Sequence, residues 1–383
     1  MKIYFLFVCL IPLISCLDNG LARTPAMGWN SWNKFGCSIN ETLIKEVADA
    51  MVSTGLAAAG YEYVNLDDCW QVSRDKTTGE IQADPQAFPS GIQALADYVH
   101  NKSLKFGLYS DAGLYTCQKR PGGLYHEDID AQTYAKWGVD YLKYDNCYNA
   151  GLPPKWRYPR MRDALNKTGR PIYYSLCEWG QDDPWEWAAD IGNSWRTTGD
   201  ISDKWDSFID ILEKQVPIAS AGAPGGWNDP DMLEVGNGGM TTNEYEAHFA
   251  LWAFLKAPLI VGCDIRSMSN DTLRILTNKE IIAVNQDSLG KPATRLFYQG
   301  SQEIWGSPVA DGFAAVLFNQ GASAANITAP FKLFNITGSA KIRDLQAHQD
   351  LGTFQNSFTT QVQPHSVVVI KLTSQGSPQT ITY

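Results

Sequence analysis

The chain has 383 residues, of which 44% are hydrophobic and 19% are charged. This composition excludes a wholly disordered protein, and the length predicts about two domains, one of them large. The formal net charge is −10 and the sequence has no basic stripe, which argues against a nucleic-acid partner.

The N-terminal segment has one lysine followed by an apolar run that ends near Cys16. It is short for a membrane span and is typical of a secretory signal peptide, here residues 1–17, cleaved between Cys16 and Asn19. A bacterial lipoprotein anchor at Cys16 is the alternative interpretation. Since no later stretch is long and apolar enough to span a bilayer, a membrane partner is not expected.

Six Asn-x-Ser/Thr sequences follow the signal, and in combination with it they favour a eukaryotic secretory route. The protein is therefore expected outside the cell or in an acidic organelle, lysosomal or vacuolar. The six acceptor asparagines are Asn40, Asn101, Asn166, Asn270, Asn326 and Asn335.

Eight apolar runs between residues 23 and 292 alternate with amphipathic stretches. Several are apolar on both faces, as strands of a covered parallel sheet must be. Their number and spacing predict a (β/α)₈ barrel over residues 18–292. A doubly wound open sheet is the alternative, but no GxGxxG follows the first strand. The runs are AMGWNSW (26–32), YEYVNLD (61–67), KFGLYSD (105–111), YLKYD (141–145), IYYSLCEW (172–179), SWRTTGD (194–200), PGGWNDPD (224–231) and PLIVGCD (258–264).

Two helices between these runs have clear sequence signals. Ser38 with Glu41 three residues later predicts a capping box at a helix start, with Leu43, Val47 and Met51 on one face. A second helical pattern runs from residue 243 to residue 254. The tail, residues 293–383, instead alternates in short segments such as 312–319 and 366–372, which predicts a small antiparallel β-sandwich.

Aspartates recur at the C-terminal ends of the predicted strands. In a barrel these ends converge on one face, where active sites lie. Any one of them could be a helix cap, but caps alone are a poor explanation for so many on successive units. Asp264 is as well explained by a cap as by the site, and Asp111 is left outside the catalytic set. The seven residues are Asp67, Asp68, Asp111, Asp145, Asp200, Asp231 and Asp264.

The other chemistry-bearing residues exclude several classes of enzyme. The five histidines have no HxH or HExxH spacing, and the cysteines have neither a CxxC nor a cysteine–histidine ligand pattern. GxSxG and GxxxxGK[ST] are absent, which weakens esterase and nucleotide-binding interpretations. Neither a metal nor a cofactor is expected. Paired carboxylates without a metal favour glycoside hydrolysis, which needs one carboxylic acid and one carboxylate.

Six motifs in order along the chain resemble those of family 27 glycoside hydrolases, and most of all the plant-type α-galactosidases (melibiases) of that family. The resemblance implies a retaining exo-α-galactosidase with a TIM barrel, acting on a small-molecule or oligosaccharide α-galactoside as a monomer or homodimer. The motifs are RTPAMGWNSWNKFGC (23–37), NLDDCW (65–70), YLKYDNC (141–147), SLCEWG (175–180), WRTTGDI (195–201) and GGWNDPDML (225–233).

The resemblance also implies roles for individual residues. Asp145 would be the nucleophile and Asp200 the general acid/base. Trp29, Asp67 and Asp68 would hold the apolar sugar face and the 4- and 6-hydroxyls. Lys143 and Arg196 would contact ring hydroxyls, and Asp231 would close the pocket. Cys177 and Trp179 would lie in the loop that reads the 2-position of the sugar.

Six cysteines remain after the signal, and some should pair in an oxidising compartment. The resemblance implies the disulfides Cys37–Cys69 and Cys117–Cys147, leaving Cys177 and Cys263 as thiols.

Spacing adds a physical expectation for the two aspartates. Lys143 lies two residues before Asp145, so both side chains point to one side of a strand, and the cation should favour an ionised nucleophile. Asp200 needs a raised pKa to enter the reaction protonated. Asp229 is a candidate partner of Asp231, and Glu178 is expected to point away from the specificity positions.

Three functions remain open from the sequence. The first is α-galactosidase. The second is a related specificity, α-N-acetylgalactosaminidase or β-L-arabinopyranosidase. The third is a catalytically silent galactose-binding protein, which is the weakest because both acids are intact.

Overall fold

The computed structural model describes residue 17 and residues 19–375. Apart from Leu17, the predicted signal peptide lies outside the described residues. Within the described part of the chain, no helix has the length and apolar character needed to cross a bilayer.

Ten strands precede the tail, and eight of them form one parallel sheet. They are β1 (Met27–Asn30), β2 (Tyr63–Leu66), β3 (Gln71–Arg74), β4 (Ile81–Ala83), β5 (Lys105–Asp111), β6 (Tyr141–Asp145), β7 (Tyr173–Cys177), β8 (Ser194–Arg196), β9 (Trp227–Asp229) and β10 (Leu259–Val261). The sheet order is β10-β1-β2-β5-β6-β7-β8-β9. A parallel bridge between Leu233 and Val261 joins the segment after β9 to β10 and closes the circle.

The curled sheet confirms the predicted barrel, and the doubly wound alternative is wrong. Each of the eight predicted apolar runs contains one barrel strand. Strands such as β1, β2 and β7 are buried along their whole length, because the barrel core covers one face and the helices cover the other.

Ten α-helices accompany the strands in the part of the chain that the structure describes. The seventh and eighth strands of the chain, β7 and β8, are joined by two 3₁₀ turns, Pro184–Glu186 and Ala188–Asp190, instead of the α-helix that a regular unit would have. The helices are α1 (Trp32–Phe35), α2 (Glu41–Ser53), α3 (Leu56–Ala59), α4 (Gly91–His100), α5 (Glu127–Lys136), α6 (Pro154–Lys167), α7 (Trp205–Gln215), α8 (Thr242–Phe254), α9 (Asn270–Leu276) and α10 (Lys279–Asn285).

The start of α2 differs from its prediction. Its N-cap is Asn40, whose side-chain oxygen accepts the Leu43 N–H at 2.9 Å, so the predicted capping box at Ser38 is wrong. Glu41 instead bonds the backbone N–H and the hydroxyl of Ser90. The predicted apolar face is confirmed, because the Leu43, Val47 and Met51 side chains are all buried.

A capping box does occur at the other predicted helix, α8. The Thr241 hydroxyl accepts the Glu244 N–H, and the Glu244 carboxylate accepts the Thr241 N–H at 2.7 Å. These bonds satisfy two of the backbone groups that a helix start leaves unpaired.

A hairpin of β3 and β4 after β2 was not predicted from the sequence. Its strands are short and largely polar, so they lack the apolar alternation that marks a half-buried strand. Arg74 anchors the hairpin to α5 through two bonds to the Asp130 carboxylate, at 2.6 and 2.7 Å.

The tail is the predicted antiparallel β-sandwich. Its six-stranded sheet has the order β11-β12-β13-β18-β15-β16, and β14 pairs with β17 across an apolar core that contains Leu317, Ile327 and Ile370. The strands are β11 (Thr294–Gln299), β12 (Gln302–Val309), β13 (Gly312–Asn319), β14 (Ala325–Pro330), β15 (Ser339–Asp344), β16 (Gln349–Gln355), β17 (Ser357–Val362) and β18 (Ser366–Ser374).

The second face of the large tail sheet packs on the barrel. Val316, Phe318 and Val369 belong to the same hydrophobic cluster as the barrel core. Strand β18 packs on α8, and the His365 ring stacks on Trp205 at the start of α7, with centroids 4.4 Å apart. The His365 ring also bonds Glu244 at 2.8 Å, so the capping box of α8 is part of this interface.

We expect Thr241→Ala to lower the free energy of unfolding by about 1 kcal/mol, because the α8 start loses its cap. Thr242→Ala is the matched control, since Thr242 is the exposed neighbouring residue inside the helix. Urea denaturation followed by circular dichroism measures both. Equal effects of the two substitutions would contradict a capping role for Thr241.

Candidate active site

A cavity lies at the C-terminal mouth of the barrel. Its walls come from seven of the eight barrel strands and the segments that follow them; no lining residue comes from β10 or the described segment after it. The side chains that line it are Trp32, Asn33, Asp67, Asp68, Tyr109, Cys117, Lys143, Asp145, Cys177, Trp179, Arg196, Asp200, Ile201, Asp231 and Met232.

Nine of the ten residues predicted for catalysis and substrate binding line this cavity; the exception is Trp29. Trp29 is fully buried, and its indole N–H donates to the Cys263 carbonyl at 2.8 Å. Strand alternation explains the difference, because the neighbouring Asn30 side chain faces the site and bonds Asp67, so Trp29 points the other way. Of the two tryptophans in the first motif, Trp32 is the one that lines the cavity.

A buried ion pair joins two neighbouring regions of the cavity floor. Lys143 Nζ lies 2.8 Å from an Asp67 carboxylate oxygen, and that oxygen also accepts an amide N–H of Asn30 at 2.8 Å. The other Asp67 oxygen accepts the Asp68 N–H. Burial lowers the pKa of Lys143, but Asp67 and other anions outweigh it and raise the pKa well above its usual value. Lys143 is therefore a permanent cation.

Asp145 ends β6 and is held on both oxygens. Its Oδ2 accepts the Tyr109 hydroxyl at 2.8 Å and its Oδ1 accepts the Asn146 N–H at 2.9 Å. Only 6% of the residue is exposed. Burial raises the pKa of Asp145, and the Lys143 cation and the Tyr109 bond only partly oppose it. The carboxylate is fixed in position and largely without water.

Asp200 has a contrasting environment at the end of the segment after β8. Its side chain is 74% exposed, and one oxygen lies 3.0 Å from an Arg196 guanidinium nitrogen. The same nitrogen lies 3.0 Å from the buried Asp231 carboxylate. Desolvation raises the pKa of Asp200, but Arg196 and Lys143 outweigh it, so the pKa lies below its usual value.

These pKa directions are opposite to the sequence-based expectation. The Lys143 cation lowers the Asp145 pKa as expected, but burial is the larger effect. The Arg196 contact keeps the pKa of Asp200 low, where a raised value was expected. The sequence could not reveal either effect, because both depend on depth in the cavity and on a contact made through a loop.

Two other carboxyls in and beside the cavity have raised pKa values. Burial raises the pKa of Asp68 and of Asp229 to about 6 in each case. Asp229 accepts the backbone N–H of Asp231 at 2.9 Å, so it supports that residue as expected. Asp264, outside the cavity, accepts the Arg266 N–H at the start of a 3₁₀ turn, which makes it a cap.

The loop that was predicted to read the 2-position of the sugar follows β7. Cys177 ends the strand, and Trp179 lies beyond it with a left-handed backbone (φ 67°). Both side chains line the cavity, but a turn brings Trp179 there, not the strand alternation that was expected. Glu178 between them is fully buried, and its Oε1 accepts the Gly180 N–H at 2.8 Å.

Two disulfides brace loops around the cavity. Cys37–Cys69 joins the loops after β1 and β2, and Cys117–Cys147 joins those after β5 and β6. Cys177 and Cys263 are buried thiols. The carboxylates of Asp111 and Asp145 lie near the second disulfide with metal-ligand proximity, but both sulfurs there are bonded to each other.

Several lining residues were not predicted, and Tyr109 is the most important. It lies opposite Lys143 in the β5–β6 register, with the ammonium 5.2 Å from its ring centre. The sequence did contain a signal, since Tyr109 lies two residues before Asp111 and therefore on the same strand face. Cys117, Ile201 and Met232 reach the cavity from loops and Asn33 from the single turn of α1, for which no such periodicity exists.

Comparison with known proteins identifies the family. A sequence profile described as "Alpha galactosidase A" matches residues 24–287, and one described as "Alpha galactosidase C-terminal beta sandwich domain" matches residues 299–372. The chain belongs to the α-galactosidases of glycoside hydrolase family 27. It is a glycosidase of the TIM-barrel type with a tail sandwich.

Individual members of the α-galactosidase family match over nearly the whole chain. Alpha-galactosidase 3 of Arabidopsis thaliana is 54% identical over 374 residues, 96% of this chain and 85% of that protein. The crystal structure of α-galactosidase I from Mortierella vinacea is 45% identical with a TM-score of 0.90, covering 94% of this chain and 100% of that one. A Saccharomyces cerevisiae α-galactosidase structure with raffinose is 34% identical with a TM-score of 0.87, covering 94% and 99%.

We expect the free energy of unfolding of Glu178→Gln, relative to that of wild type, to be higher at pH 7 than at pH 4. Burial raises the pKa of Glu178 to about 9, so the folded carboxyl stays protonated while the unfolded one ionises above about 4.3. Wild-type stability therefore falls as pH rises through this window, whereas glutamine is neutral throughout. The relative gain should be on the order of 1 kcal/mol or more.

Chemical denaturation at pH 4 and pH 7 measures this difference. Glu186→Gln on the exposed 3₁₀ turn is the control and should show little pH-dependent change. A Glu178→Gln protein that is less stable at pH 7 than at pH 4, relative to wild type, would show that Glu178 is ionised.

Proposed function

We propose that this protein is a retaining exo-α-galactosidase in which Asp145 is the nucleophile and Asp200 the general acid/base. One observation carries the assignment of roles: Asp145 is buried and held on both oxygens, whereas Asp200 is 74% exposed in the same cavity. A nucleophile must be fixed against the anomeric carbon. An acid/base must reach the leaving group and, afterwards, the incoming water.

The reaction proceeds in two displacements. Asp200 protonates the glycosidic oxygen while Asp145 attacks the anomeric carbon, and the aglycone leaves. Asp200 then removes a proton from water while the water oxygen attacks the anomeric carbon and the bond to Asp145 breaks. Galactose is released with its α configuration retained. A bound galactoside covers the exposed Asp200 and removes water from it, which raises its pKa towards the protonated form that the first step needs.

Recognition of a single terminal sugar follows from the shape of the site. Residues from seven barrel strands and the segments after them line one cavity at the barrel mouth, which suits entry of a chain end. The Lys143–Asp67 pair offers both donors and acceptors to hydroxyl groups on the cavity floor. Arg196 and Asp231 offer a second such pair. The residues Asp68, Cys177 and Trp179 complete the predicted contacts.

We expect Asp145→Ala to lower kcat for a galactoside by about 10⁴-fold or more, because covalent catalysis is lost. Azide should restore turnover of an activated aryl galactoside and give β-galactosyl azide. Asp200→Ala should lose about 10²–10⁴-fold with poor leaving groups and far less with activated aryl galactosides.

NMR of the first product and steady-state kinetics test these roles. Wild type should release α-galactose first. Initial release of the β-anomer would overturn the retaining mechanism. If azide rescues Asp200→Ala with inversion and leaves Asp145→Ala inactive, the two assignments are exchanged.

The 2-position of the sugar separates α-galactosidase from α-N-acetylgalactosaminidase. An acetamido group needs space, and the chain presents Cys177 and the large Trp179 side chain there. Arg196 lies 3.5 Å from the Cys177 sulfur, which holds that wall in place. The proposal therefore favours galactosides over the N-acetylated sugar.

We expect the double substitution Cys177→Ser with Trp179→Ala to raise the ratio of kcat/KM for an α-N-acetylgalactosaminide over an α-galactoside by at least about tenfold. The nitrophenyl substrates of both sugars, with a β-L-arabinopyranoside as a third, measure it. Phe replacing Trp179 is the control that keeps a bulky ring. Equal wild-type activity on both sugars would contradict a steric wall.

The secretory route is also a proposal. All six acceptor asparagines have exposed side chains, so each is accessible to glycosylation. On expression in a eukaryotic secretory pathway, enzymatic removal of N-glycans should lower the mass of the protein. An unchanged mass would contradict the proposal.

A further inference from the structure

An exposed aromatic surface lies on two loops beside the active-site cavity. Of the eight exposed large hydrophobic side chains in the described residues, four are on these loops, residues 112–126 and 146–153, and a fifth, Trp156, is in the first turn of α6. Tyr115 and Tyr148 are 51% and 46% exposed, and their rings meet edge to face with centroids 5.8 Å apart. Exposed apolar groups concentrated in one place point to a binding surface.

The pair is fixed relative to the nucleophile. Cys117, two residues after Tyr115, lines the cavity and is bonded to Cys147, the residue before Tyr148. The Leu114 N–H donates to the Tyr148 carbonyl at 3.1 Å. Tyr148 is also only three residues beyond Asp145. The two rings therefore belong to the braced rim of the catalytic cavity.

The backbone of Tyr148 is in the left-handed region, with φ 41°. Glycine is favoured there, and any larger residue adds strain. The ring is half-exposed and lies outside the hydrophobic core clusters. Since the fold gains little from an aromatic residue at this position, its presence points to a ligand.

The neighbouring ring pair is less available. Tyr125 and Trp156 also meet edge to face, at 6.5 Å, but the Arg160 guanidinium lies 4.7 Å from the Trp156 ring centre. No cation–ring contact occurs at Tyr115 or Tyr148 among the described residues. The exposed half of this ring pair suits a neutral ligand with a flat apolar side.

We propose that Tyr115 and Tyr148 form a subsite for the aglycone sugar of oligosaccharide α-galactosides, whose ring C–H groups stack on the tyrosine faces. The inference rests on the proposed function, because it assigns the part of the substrate that leaves the galactose cavity. The galactosyl unit occupies the cavity, and the next sugar ring lies on this rim.

Raffinose and methyl α-galactoside test the subsite, because only raffinose has sugar rings in its aglycone. Tyr115→Ala and Tyr148→Gly should each lower kcat/KM for raffinose about three- to tenfold, mainly through KM, and change that for methyl α-galactoside less than twofold. Tyr148→Gly removes the ring and relieves the backbone strain, so the variant should fold at least as well as wild type. Tyr148→Phe should retain wild-type values.

Tyr298→Ala is the matched control, since Tyr298 is a 57% exposed tyrosine on the tail sandwich. This substitution should leave kcat/KM unchanged for both substrates. Equal losses on both substrates would show that the tyrosines only brace the loops and would overturn the subsite. Unchanged raffinose kinetics, or a loss confined to a micellar α-galactosyl glycolipid, would also overturn it. A different oligomeric state of the Tyr115→Ala or Tyr148→Gly variant on gel filtration would also overturn the subsite. A wild-type protein that cleaves neither galactoside would instead overturn the proposed function itself.

Discussion

The buried ion pair between Lys143 and Asp67 is the contact on which the arrangement of the site depends. It joins β6 to the segment after β2, and it places a permanent cation two residues from Asp145. A buried pair is costly to desolvate unless its remaining polar atoms are satisfied. Asn30 and the backbone of Asp68 provide those bonds. These bonds partly offset the desolvation of the two charges, so both groups are fixed in position in the cavity before a sugar binds.

The second organising contact is Arg196, which lies between two carboxylates of unlike exposure. Its guanidinium reaches buried Asp231 and exposed Asp200 with the same nitrogen. The position of Asp200 is thus linked to a residue that belongs to the rigid floor. Asp200, the proposed acid/base, is therefore exposed but held by Arg196, and the same contact keeps the pKa of its carboxyl below the usual value.

The sequence predicted the fold well because the periodic signals are long. Eight apolar runs determined eight strands, and their terminal aspartates identified the face of the site. It failed where a local turn decides the outcome. Asn40, not Ser38, caps α2; Trp179 reaches the cavity through a left-handed residue; and the polar β3–β4 hairpin has no apolar period. Trp29 was misplaced because its neighbour in β1, Asn30, faces the site, and the tryptophan of that motif which lines the cavity, Trp32, lies in α1.

The barrel closes through a single bridge between Leu233 and Val261, whereas its other neighbouring strands share longer ladders. Helix α8 connects the two sides of this seam, and the tail packs β18 on that helix. The sandwich therefore packs against the helix that connects the two strands at the shortest ladder of the barrel. Amide hydrogen exchange in the seam should then accelerate when the tail is detached, although none of the described tail residues lines the cavity.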